Sequence, residues 1–75
     1  MIVLELTMVD DSLDERLDQR VLFVGTEFKI YEQHKKRGDR ERTVTIIQQP
    51  NNSYTQGAEP MDDIHDEILV QKGGA

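Results

Sequence analysis

The sequence predicts an α+β fold: a three-stranded antiparallel sheet with a long hairpin, and two short helices packed on one face. Three observations predict it. Apolar residues alternate with period two over residues 1 to 8 and 21 to 32, and a shorter return follows at 43 to 48. Apolar residues spaced for one helical face mark 12 to 19 and 60 to 71. A wholly polar run with a Gly-Asp pair separates the second and third alternating segments.

In the first segment Ile2, Leu4, Leu6 and Met8 share one face and Val3, Glu5 and Thr7 the other, as in a half-buried strand. Ser12 followed by Glu15 matches a capping box, and Leu13 with Leu17 gives a narrow apolar stripe, so 12 to 19 is expected as a helix of two turns. From Val21 to Glu32, Leu22, Val24, Phe28 and Ile30 face one way and Val21, Phe23, Lys29 and Tyr31 the other, with Gly25 where a bulge would lie. The run from Gln33 to Glu41 reads as a turn and Thr43 to Gln48 as the returning strand, a long hairpin with a charged tip. Residues 49 to 59 concentrate Pro, Asn, Ser and Gly and are expected as a mobile loop.

Pro60 then suits a first helical position, Asp62 and Asp63 the first turn, and Met61, Ile64, Ile68 and Leu69 one apolar face, until Gly73 stops the helix and 73 to 75 fray. The expected core is Ile2, Leu4, Leu6, Leu13, Leu17, Leu22, Val24, Phe28, Ile30, Val44, Ile46, Ile64, Ile68 and Leu69. Val21, Phe23 and Tyr31 are left on the opposite sheet face, where an apolar patch predicts a homodimer.

With 75 residues, 36% of them hydrophobic and 5% aromatic, the chain is expected to form one small domain, 1 to 75, with a thin core. Little room remains for the roughly 300 to 1,000 Å³ enclosed pocket that substrate and cofactor sites occupy, so neither an enzyme nor a cofactor is expected. Ser12 and Ser53 have no histidine nearby in sequence and supply no catalytic constellation. There is no cysteine, which removes disulfides and thiolate zinc, and His34 and His65 with the acids around His65 are too few ligands for a metal site. The first residues carry no basic segment, Glu5 interrupts their apolar run, and no stretch reaches membrane-spanning length, so a cytoplasmic setting away from membranes is expected.

Nine Lys and Arg against fifteen Asp and Glu give a net charge of −6, which disfavours wholesale binding to nucleic acid or anionic lipid and points to basic partners. The acids concentrate in residues 1 to 20 and 50 to 75, while the bases concentrate between. Both expected helices stack acids four residues apart, at an exposed cost of roughly 0.2 to 0.5 kcal/mol per pair. The helix dipole accounts for first-turn acids but not for Asp18 or Glu67. Asp14, Asp18, Asp63 and Glu67 are therefore the candidate partner-binding face, set against the plainer reading of a solvated surface.

Lys35, Lys36, Arg37, Arg40 and Arg42 form a second candidate, a basic hairpin tip at 35 to 42 that would contact phosphate, with Tyr31 and His34 placed to stack on a base. Asp39 and Glu41 interleave and argue for a tip that only keeps a sheet soluble. The leading expectation is thus a small acidic, non-enzymatic module that binds and modulates a partner protein of basic surface, with the acidic face imitating phosphates. By analogy it has the look of a phage or bacterial accessory or inhibitor protein. The competing expectation is a nucleic-acid-binding module that uses the tip.

Overall fold

Among the described residues five strands and a single helix build the fold, so the expected three-stranded sheet with two helices is corrected. The computed structural model describes residues 1 to 73, and Gly74 and Ala75, the end of the expected frayed terminus, lie outside the described residues. Strands β1 (Ile2–Val9) and β2 (Glu15–Gly25) pair antiparallel as one sheet. A second antiparallel sheet has the order β3 (Lys29–Arg37), β4 (Arg40–Gln48), β5 (Tyr54–Gly57). Helix α1 (Met61–Gln71) closes the fold where its apolar spacing predicts it, and the Gly73 N–H donates to the Val70 carbonyl just past its end.

Residues 12 to 19 are not helical. Asp10 explains why: its Oδ1 accepts the Ser12 and Asp14 amides at 2.9 and 3.0 Å, and its backbone N–H donates to the Asp14 carbonyl at 3.0 Å. These bonds reverse the chain in a tight turn, with Leu13 at φ 65°, and an Asp side chain that takes its own downstream amides competes directly with a helix. The chain then runs back along β1 as β2. Opposite the Thr7–Met8 step the register jumps from Arg20 to Arg16, which pushes Leu17, Asp18 and Gln19 out of the ladder. Leu17 is 77% exposed there and is no core residue.

The expected facing of β2 is also reversed. Leu4 stands opposite Phe23 and Leu6 opposite Val21, and directly opposed residues share a face. Leu4 and Leu6 are buried, so Phe23 is 3% exposed in the core while Leu22, at 63%, and Val24 look outward. Alternation could not choose, because both faces of this segment are apolar. Gly25 ends β2 instead of bulging, and the break before β3 brings Phe28 back to the core side, where its ring meets Phe23 edge to face at 5.1 Å. Leu69, at the rim of α1, is exposed.

The hairpin is longer than expected. Pairing runs to Arg37 opposite Arg40, leaving a two-residue turn with Gly38 at φ 60°, the positive first position that a type II′ turn requires. The expected open loop at 49 to 59 contains β5, paired to β4 from Gln48 opposite Tyr54 to Thr45 opposite Gly57. β4 has a neighbour on each edge, and its residues 44 to 47 are buried on both faces by packing. Ile47 joins a cluster with Ile2, Leu4, Leu6, Phe23, Ile64 and Ile68, while Val44 and Ile46 join Val9 on the other side, with Leu13 and Ala58 against them. Val9 and Ile47 are core residues that alternation did not mark.

Candidate functional site

The two sheets meet along the free edge of β1, and side chains make most of the join. The Ala58 N–H donates to the Thr7 carbonyl at 3.1 Å. One residue on, the Glu59 carboxylate takes the place of a neighbouring strand: it accepts the Thr7 N–H at 2.8 Å and the Thr7 hydroxyl at 2.7 Å. Thr45 Oγ1 donates to the Glu59 carbonyl at 2.6 Å, and Arg20 Nη1 donates to Thr7 Oγ1 at 3.0 Å while standing 3.5 Å from Glu59 Oε2. At the other end of the edge the Gln71 side-chain amide from α1 plays the same part for Val3, accepting its N–H at 2.8 Å and donating to its carbonyl.

Glu5 lies between these two anchors. Backbone groups of alternate residues point to the same edge of an antiparallel strand, so the N–H and C=O of Glu5 point the way those of Val3 and Thr7 do, away from β2. Among the described residues neither group finds a partner. A groove of about 390 Å³ opens there, lined by Val3, Leu4, Glu5, Leu22, Glu59, Asp63, Ile64 and Glu67. Four carboxylates thus surround an apolar floor. Arg20 is the one cation paired with any of them among the described residues, at 3.8 Å from Glu5 and 3.5 Å from Glu59. Asp63 and Glu67 are exposed and, among the described residues, meet no Lys or Arg.

The expected acidic face therefore divides. Asp63 and Glu67 share this groove. Asp14 is on the turn after β1 and is bonded to Arg40, and Asp18 projects from the bulge of β2. Sequence reasoning missed Glu5, Glu59, Val3 and Leu22 as groove residues. The interruption of an apolar run by Glu5 was the available sign.

The basic tip is largely answered from within the chain. Directly opposed residues share a face, so Lys35, Arg42, Arg37 and Arg40 lie on one side of the hairpin. On that side Arg40 pairs with Asp14 and donates to the Ser12 carbonyl at 3.3 Å, and Arg42 pairs with Glu15 at 2.6 Å and donates to the Leu13 carbonyl at 3.1 Å. Arg42 Nε is buried and, among the described residues, finds no partner. On the other side Glu41 lies 3.7 Å from Lys36 and 3.6 Å from His34 Nε2. The hydrogen bond from the Asp14 amide, ahead of that from Ser12 and the charge of Arg16 2.8 Å away, holds the Asp10 carboxyl below the usual carboxylate range.

The expected dimer face does not assemble: Phe23 is core and Val21 half-buried, and of the three residues Tyr31 alone is exposed. A depression of about 420 Å³ between Glu27–Lys29 and Gln48–Asn52 is lined by one acid, one base and neutral side chains, so it offers no net charge to a ligand. Among the described residues no three His, Asp or Glu side chains converge as a metal site, and no helix is long and apolar enough to cross a membrane. Comparison with known protein families, characterised proteins and solved structures finds no match for this chain.

Proposed function

We propose that the chain is a small, acidic, non-enzymatic interaction module, acting in the cytosol, that binds and modulates a partner protein through basic residues of the partner. The carrying observation is how its charges are matched. Asp14 and Glu15 of the 10 to 15 turn are taken up by the hairpin bases Arg40 and Arg42 and Asp10 by Arg16, whereas among the described residues Asp63 and Glu67 stand without a cation beside exposed Val3 and Leu22. Among these residues Glu67 accepts only the neutral Gln71 side-chain amide, at 3.0 Å, and carboxylates without a cation around exposed apolar surface favour a partner that brings both positive charge and apolar contact.

The nucleic-acid reading loses support from the same geometry, since three of the five tip bases, Lys36, Arg40 and Arg42, already meet carboxylates. Capture of the partner from the native host, followed by binding at rising salt, tests the proposal. Reversal of Asp63 and Glu67 to Lys is expected to abolish binding, and Asp14→Lys is expected to leave it. Binding unchanged by the groove reversals would make the acids a solvated surface only.

A further inference from the structure

Resting on that reading, we propose that the groove at Glu5 receives an arginine side chain of the partner. Three features of the groove converge on guanidinium. The Glu5 backbone lies at the groove on the edge of β1 that points away from β2, between the two positions that Gln71 and Glu59 close, and among the described residues no donor meets its carbonyl. Asp63 and Glu67, one helical turn apart on α1, stand over it without a cation. Val3 and Leu22 supply an exposed apolar floor.

A guanidinium is planar, carries five donors in a fixed fork and is weakly hydrated, so it can lie on apolar side chains while donating to a carbonyl and to carboxylates at once. A lysine ammonium is compact and strongly hydrated, and gains less from the floor. Arg20 shows the arrangement in miniature at the end of the same edge. Its guanidinium donates to a neutral oxygen, Thr7 Oγ1, and neighbours the Glu59 and Glu5 carboxylates.

The test is a nuclear magnetic resonance titration of the full chain with the blocked tripeptide acetyl-Leu-Arg-Leu-amide, alongside the same peptide with citrulline or lysine at the centre. Citrulline keeps the shape and removes the charge. The arginine peptide is expected to move the Glu5 amide resonance saturably, with the citrulline peptide about tenfold weaker, the worth of one charge-assisted hydrogen bond. The lysine peptide is expected to fall between. Combined Asp63→Asn and Glu67→Gln should weaken the arginine peptide by about the same factor, while Asp62→Asn with Asp66→Asn, on the same helix outside the groove, should not.

Equal response to arginine and citrulline, a lysine peptide that binds as well as arginine, or no saturable movement at Glu5 would each overturn the assignment. If the arginine peptide binds but answers to Asp62 and Asp66, the groove site falls and an acidic interaction surface still stands. A captured native partner indifferent to both pairs of variants removes that surface as well.

Discussion

Glu59 and Phe23 show how single residues set the frame of the site. Thr7 is buried, and the Glu59 carboxylate is the acceptor for its N–H, so Glu59→Ala leaves a buried donor unpaired at a cost of about 1 to 3 kcal/mol. Glu59→Gln keeps an acceptor and should lose less. Urea unfolding orders the two variants, and faster hydrogen exchange at the Thr7 amide locates the loss. At Phe23 the facing of β2 is at stake: Phe23→Ala should cost about 3 to 5 kcal/mol, whereas Leu22→Ala should stay within about 0.5 kcal/mol. Comparable losses at the two positions would contradict the register that opposes Phe23 to Leu4. Gly57 is constrained by space: a Cβ there would stand 2.7 Å from Leu6 Cβ, so Gly57→Ala must push β5 off the core and destabilise.

At the scale of elements, legibility followed whether a segment's pattern is its own or its neighbours'. β1 and α1 carry their own amphipathic period, and their positions were readable to within a few residues, whereas the expected strand 21 to 32 is divided between β2 and β3 of different sheets and the expected turn at 33 to 41 shrinks to two residues. β5 has four residues and no period; it is a strand because Thr45–Gln48 offers it a ladder. The chance spacing of Leu13 and Leu17 made 12 to 19 read as a helix, where the chain turns and enters β2. The cluster Asp10-Asp11-Ser12 was a turn signal in plain view, outweighed by a capping-box match. This turn makes a pH prediction. Asp10 titrates lower in the folded chain than in the unfolded one, so its contribution is complete above the unfolded value and is lost as pH falls through the folded value. Urea midpoints measured from about pH 5 downward should decline, and Asp10→Asn should flatten that decline while lowering stability at neutral pH. A variant with an undiminished acid slope would assign the slope to other carboxylates.

For the whole molecule, a net charge of −6 conceals two unlike ends. Val3 and Val9 are six residues apart on β1, about 20 Å at the rise of an extended strand, so the groove and the 10 to 15 turn occupy opposite ends of one strand. At the groove end carboxylates outnumber cations. At the turn end Asp14 and Glu15 answer Arg40 and Arg42, residues 26 and 27 positions away in sequence, and that separation is why the local blocks of charge could be read but their cancellation could not. Each pair is partly exposed and worth about 0.2 to 1 kcal/mol, too little to hold the fold but enough to decide what the hairpin shows to a polyanion. Replacing Asp14 and Glu15 by Ala frees both arginines beside Lys35 and Arg37 and raises the net charge by two. The double variant should remain folded and bind single-stranded RNA or DNA more tightly than the wild type, with a steeper fall in affinity as salt rises, because each additional phosphate contact releases counterion. Fluorescence anisotropy at several salt concentrations reads both quantities. A wild type that already binds with the variant's affinity and slope would mean that Asp14 and Glu15 do not mask the tip, and would return the basic hairpin to the centre of the functional account.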